Sequence, residues 1–134
     1  MAEAPELRLG WVIVYVDDPA AASAFYEATF GLRGEFVAES GTYAQMNTGP
    51  TRLAFAAYAL GDGNFPGGVL RAEPGDQPRN VEIALVADDV DGAYERALQA
   101  GCTSLAAPSD AAHGQRVAWV RDPFGTLVEL ASPL

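Results

Sequence analysis

Val12-Ile13-Val14-Tyr15-Val16-Asp17-Asp18, near the start of the chain, returns about half a chain length later as Ile83-Ala84-Leu85-Val86-Ala87-Asp88-Asp89. Each copy is a β-branched and apolar run of strand composition that ends on an acidic pair. Self-similarity at this spacing marks two copies of one supersecondary unit, which fixes the frame for every later assignment. The second acid of each pair, Asp18 or Asp89, is a suitable helix N-cap, because a short carboxylate accepts from the first free helical N–H groups. Pro19 then fits the first helical position, where its missing donor costs nothing. Val90, Ala93, Tyr94, Ala97 and Leu98 recur at helical spacing and make one apolar stripe for packing on a sheet. Gly31 and Gly101 follow as helix stops.

Helices are therefore predicted over residues 19–30 and 90–100. Strands are predicted over 35–38, 43–46 and 52–57 in the first half, and over 103–105, 115–121 and 126–130 in the second. The fold class is α+β: two tandem βαβββ modules whose curved sheets surround a cavity, with the helices on the outer face. All of it forms one domain over 1–134, with module 1 at about 8–58, a linker at 59–80 and module 2 at about 81–132. Asn47-Thr48-Gly49 and Asp122-Pro123-Phe124-Gly125 are the turns between the last two strands of each module. The 59–80 stretch is rich in Gly, Pro, Asp and Asn and reads as a linker in preference to a lid, although Phe65 would also suit a lid.

Composition narrows the function. Eight Lys and Arg against eighteen Asp and Glu leave a formal charge of −10, and no basic cluster is available for phosphate backbones, so a nucleic-acid partner is not expected. The charge chiefly serves solubility, with a secondary attraction for cationic ligands. No apolar run is long enough to span a bilayer, and the first six residues carry neither the basic nor the apolar region of a secretory signal, so no membrane association and a cytoplasmic address are expected. Cys102 is the one cysteine and is expected as a reduced thiol just past the second helix. His113, the one histidine, reads as a solvated residue in a helix–strand connection.

Side chains alternate across a strand, so faces can be assigned residue by residue. Val12, Val14 and Val16 form the helix side of the first strand, which sends Trp11, Ile13 and Tyr15 to the other face. Ile83 and Leu85 do the same in the fifth strand, and Val128 and Leu130 in the last, leaving Glu82 and Glu129 facing inward. The expected ligand-binding set is Trp11, Tyr15, Tyr43, Phe55, Glu82, Trp119 and Glu129. An aromatic lining with two carboxyl groups suits a flat or cationic ligand.

These residues also carry a resemblance. Asp18, Phe25-Tyr26 and Phe30-Gly31-Leu32, with Gly114-Gln115-Arg116 and Asp122-Pro123-Phe124-Gly125-Thr126-Leu127-Val128-Glu129-Leu130, resemble the two modules of the glyoxalase / bleomycin-resistance / extradiol-dioxygenase superfamily, the vicinal oxygen chelate fold. The style is nearest to its bleomycin-resistance-like members. Metal enzymes of that superfamily place ligands on the first and last strands of each module. The matching positions here are Trp11, Glu82, Glu129 and, in module 1, a residue near Ala54 or Ala56. Indole and methyl groups give a metal no donor.

The resemblance thus implies a small-molecule-binding protein that needs no cofactor, sequesters an aromatic or cationic drug or metabolite, and acts as a homodimer in the manner of antibiotic-resistance proteins. The alternative is a metal-dependent lyase, isomerase or dioxygenase with a divalent ion on Glu82 and Glu129. A metal-free acid–base enzyme using a desolvated glutamate is a further version.

Overall fold

The computed structural model describes residues 3–134; Met1 and Ala2, the start of the stretch in which no signal sequence is expected, lie outside the described residues. Module 1 comprises β1 (Trp11–Val16), α1 (Pro19–Phe30), β2 (Gly34–Val37), β3 (Tyr43–Met46) and β4 (Arg52–Ala57), followed by α2 (Tyr58–Asn64). Module 2 comprises β5 (Glu82–Val86), α3 (Val90–Gln99), β6 (Thr103–Asp110), β7 (Arg116–Arg121) and β8 (Leu127–Ala131). The strands form two four-stranded sheets, ordered β1-β4-β3-β2 and β5-β8-β7-β6. In each, the first strand runs parallel to the last and the other pairs are antiparallel. A parallel pair cannot be closed by a tight turn, so the helix and two intervening strands serve as the crossover. The backbone clusters into two compact units, one of residues up to Glu27 with Leu32–Gly68, the other of Ala28–Gly31 with Val69–Leu134.

The helix ends follow the local chemistry. Asp18 Oδ1 accepts from the Ala21 N–H at 3.2 Å and Asp89 Oδ1 from the Gly92 N–H at 2.9 Å, each satisfying a donor that the first turn leaves free. At the far end of α3, Gly101 adopts φ 113°. Its N–H reaches the Leu98 carbonyl and the Cys102 N–H reaches the Ala97 carbonyl, the paired closure that a left-handed glycine makes possible. That closure tucks Cys102 into the core at 7% exposure, where burial and then the charge of Asp122 push the thiol up to about 12.

Each helix covers one face of its own sheet. In module 1 the Tyr26 ring meets Phe55 at 5.0 Å between centroids, and the Ser23 hydroxyl lies 3.1 Å from the Met46 sulfur. In module 2, Val90, Tyr94 and Ala97 are buried with Val120, Val128 and Leu130 of the sheet. Burying each of the larger apolar side chains fully contributes about 1.5–3 kcal/mol. The Tyr94 hydroxyl keeps a partner, Ser104 Oγ at 2.6 Å.

Two stretches differ from the sequence expectation. The 59–80 linker contains most of α2, whose Tyr58 and Gly61 are buried. The same stretch also touches module 2: a Cβ on Gly125 would stand 3.1 Å from Ala72, and Arg121 donates to the carbonyls of Glu73 and Pro74. Second, β6 runs on to Asp110 where a short strand at 103–105 is predicted, so His113 sits in the hairpin turn between β6 and β7 and not in a helix–strand connection. Among the described residues, no helix is long and apolar enough to cross a membrane.

Two outcomes follow from these local structures. Asp89→Ala should lower unfolding stability by about 1 kcal/mol, read by urea denaturation. The Cys102 thiol should not react with a chromogenic disulfide reagent at neutral pH until denaturant is added, because the thiolate is the reacting species.

Candidate functional site

Alternation gives each sheet a face turned away from its helix. In module 1, register aligns Trp11 with Arg52, Ile13 with Ala54 and Tyr15 with Ala56, and Tyr43 and Gln45 with Ala56 and Ala54. Trp11, Tyr15 and Tyr43 therefore share the face away from α1, as predicted. Phe55 does not join them. It is fully buried against Tyr26, because the alternation that puts Ala54 and Ala56 on one side of β4 must put Phe55 on the other.

The hub of the module 1 face is Gln45, which the sequence reading did not single out. Its Oε1 accepts from Trp11 Nε1 at 3.0 Å and from the Tyr43 hydroxyl at 2.7 Å, and its Nε2 donates to Glu35 Oε2 at 2.8 Å. Arg52 Nε donates to the same Glu35 oxygen at 3.3 Å. These bonds from Gln45 and Arg52 hold the Glu35 carboxyl below its ordinary range. Burial, and then the Glu35 charge, raise the Tyr43 phenol. Trp11 stays 57% exposed, on the wall of an open groove of about 770 Å³ that Leu7, Leu9 and Arg52 also line.

Module 2 brings together the remaining three predicted residues. Arg116 pairs with Asp91 of α3 at 3.0 Å, which fixes the helix side of β7 and sends Val117, Trp119 and Arg121 to the other face. Register then sets Glu129 between Ala84 on β5 and Trp119 on β7. Trp119 Nε1 donates to Glu82 Oε1 at 3.2 Å. The Glu129 carboxyl is raised above its ordinary range, by burial first and then by the neighbouring Glu82, with His113 pulling weakly the other way. A carboxyl group that is partly desolvated beside another acid gains affinity for its proton. His113 is an exposed turn residue whose Nε2 contacts Gln115 Oε1.

The two faces are variants of one pattern. Register makes Trp11 the counterpart of Glu82, Gln45 that of Trp119 and Ala54 that of Glu129. In module 1 an indole on the first strand donates to an acceptor on the third; in module 2 the indole is on the third strand and the acceptor on the first. The module 1 position left open between Ala54 and Ala56 is thus Ala54.

Paired βαβββ modules of this topology define a fold class, and the chain belongs to the Glyoxalase/Bleomycin resistance protein/Dioxygenase superfamily, whose family model matches residues 8–130. A crystallised glyoxalase/bleomycin resistance protein/dioxygenase from Nocardioides superposes with a TM-score of 0.74 at 21% identity, over 98% of this chain and 87% of the other. A lactoylglutathione lyase from Agrobacterium tumefaciens superposes with a TM-score of 0.67 at 23% identity, over 96% of each chain. An uncharacterized protein of Mycobacterium bovis is 43% identical over 54 residues, 40% of this chain and 36% of that protein. The match thus spans about a third of the curated relative's length.

The donor set does not fit a divalent ion held by three or four protein ligands. Of the four equivalent strand positions, Trp11 and Ala54 offer no donor, which leaves Glu82 and Glu129 alone. Among the described residues no three of His, Cys, Asp and Glu are grouped to hold a metal ion.

The carboxyl pair carries a pH signature. A carboxyl raised on folding contributes stability that is full below the ordinary carboxylate range and is lost as pH climbs through the raised folded value. Glu129→Gln keeps the shape of the side chain and removes its charge. Its melting temperature should exceed that of the unmodified protein at pH 7, with the gain gone below about pH 4; equal melting temperatures at both pH values would show that the two carboxyl groups are not coupled.

Proposed function

We propose that this chain is a small-molecule-binding protein that needs no metal and holds a flat aromatic compound with a cationic or hydrogen-donating group, against the module 2 sheet. The observation that carries this reading is the cluster of Trp119, Glu82 and Glu129 on one sheet face, an indole edge bonded to one carboxyl group and next to a second. A ring stacked on Trp119 gains from the aromatic face, and a donor or cation beside it relieves the repulsion between the two carboxyl groups. Sequestration of such a drug or metabolite by a homodimer is the role proposed by resemblance to bleomycin-resistance-like proteins. Sedimentation of the purified chain tests the dimer.

Titration with ethidium as a flat cationic probe, and with metal-free bleomycin, should quench tryptophan fluorescence to saturation. Trp119→Phe and Glu82→Gln should each weaken binding about five- to tenfold, or about 1–1.4 kcal/mol. Stoichiometric uptake of Mn²⁺, Fe²⁺, Ni²⁺ or Zn²⁺ in calorimetry, abolished by Glu129→Ala, would overturn the metal-free reading.

One observation favours a second reading, a metal-free acid–base enzyme. A Glu129 carboxyl raised above its ordinary range is suited to take or return a proton at a substrate beside it. In that case turnover of a substrate would follow the protonation of Glu129 and be lost in Glu129→Gln, whereas a binder would retain the ligand in that variant.

A further inference from the structure

Arg121 ends β7 on the same face as Trp119, two residues along, so the two Cα atoms stand about 7 Å apart. The residue is 2% exposed. Its Nη1 donates to the Pro74 carbonyl at 3.1 Å and to the Glu73 carbonyl at 3.4 Å. Its Nε and Nη2 are buried and have no hydrogen-bond partner among the described residues. Among the described residues no carboxylate bonds to this guanidinium, so it is buried with two of its donors unanswered.

That arrangement is costly unless something completes it, since buried donors are almost always paired and a buried charge needs a counter-charge. The vacant edge is also chemically specific. Nε–H and one Nη–H of a guanidinium point side by side and match the two oxygens of a carboxylate or phosphate, a geometry that a lysine ammonium cannot offer. The opposite edge is occupied by backbone from the stretch that joins the modules, and Ala72 of that stretch packs on the 122–125 turn next to Arg121.

We propose that Arg121 is an oxyanion receptor: its Nε and Nη2 edge takes the carboxylate or phosphate group of a small molecule, while its Nη1 edge holds residues 73–74 over that group as a cap. The proposal deepens the binding role assigned to the module 2 face and rests on it only for the rest of the ligand, whose ring would lie on Trp119. The ligand class becomes an aromatic molecule carrying an oxyanion as well as a donor or cationic group. A chain of net charge −10 repels a bare anion at long range, so the oxyanion is expected as one part of a ligand that the indole also holds.

Because one guanidinium serves both cap and ligand, an oxyanion that fills the vacant edge removes the penalty for closing residues 71–79 over it. Ligand and cap should therefore stabilise one another. Amide hydrogen exchange across residues 71–79 tests this, with benzoate, inorganic phosphate or chloride at equal ionic strength. At an anion concentration about ten times its Kd, exchange in this stretch should slow about tenfold. Slowing by benzoate assigns a carboxylate, and slowing by phosphate alone assigns a phosphate. Arg121→Lys, which keeps the charge and loses the paired edge, should show no slowing with either anion.

Unchanged exchange of the unmodified protein with both anions would overturn the proposal, and this arm needs no variant to fold. Equal slowing in Arg121→Lys would overturn it too, by placing the anion elsewhere. Ethidium quenching is read in the same samples. Quenching without anion protection leaves the binding role standing and removes the receptor, whereas anion protection without quenching keeps the receptor and removes the aromatic cation reading.

Discussion

A strand has two faces, and a helix can claim only one of them. Once α3 has taken Val128 and Leu130 of β8, Glu129 between them must point to the far side. The pairing of β8 between β5 and β7 then decides who stands next to it: Ala84 on one side, Trp119 on the other, with Glu82 a pair further along β5. A register slip of one residue would turn Glu129 into the apolar core and leave Leu130 in solvent, so apolar packing and the position of the carboxyl pair are fixed by the same contacts. The raised proton affinity of Glu129 is a by-product of this constraint. Packing in the sheet dries the carboxyl group, and its neighbour is another acid.

Much of the frame was legible in the chain because it rests on local chemistry. Asp18 and Asp89 cap the helices they were expected to cap, and Gly31 and Gly101 take the positive φ that stops them. What was not legible depends on partners distant in sequence or on weak signals. Tyr58–Asn64 forms a helix with two glycines and no side-chain N-cap, so neither propensity nor capping announces it. The second half of β6 includes Pro108 and is an exposed edge strand, where a missing ladder donor is tolerated. Phe55 lies in the run Leu53-Ala54-Phe55-Ala56-Ala57, buried throughout, so hydropathy gives no alternation to read. The answer was nonetheless implicit, because choosing Ala54 or Ala56 as the counterpart of Glu129 already sends Phe55 toward the helix. Gln45 and Arg121 carry no motif; their roles appear only once three strands are in register.

The superfamily frame explains the shape of the molecule and leaves the chemistry to individual positions. The two modules show how far those positions can diverge on one backbone. On the module 1 face each strong donor meets an acceptor: Gln45 answers Trp11 and Tyr43, and Glu35 answers Gln45 and Arg52. Such a network rigidifies its face and leaves little for a ligand to satisfy. On the module 2 face the same strand positions hold two acids, one with its carboxyl raised, and further along the face stands a guanidinium with two donors unpaired among the described residues. An incoming molecule gains most where it supplies what the protein lacks, because the groups it meets are already desolvated and their pairing costs no further dehydration.

The exchange of indole and acceptor between the modules bears on the same point. With the indole on β1, the central position opposite it is filled by Ala54, which is fully buried and gives the face no charge. Moving the indole to β7 frees the first strand for Glu82 and leaves room on the central strand for Glu129. Both faces carry an indole, an acid and an arginine, but only in module 2 does a second acid stand beside the first. Recognition by Arg121 adds a further constraint, since the backbone it holds comes from the segment joining the modules. The molecule that completes the guanidinium thus also sets how firmly that segment is docked, and binding and chain order become two readings of one equilibrium.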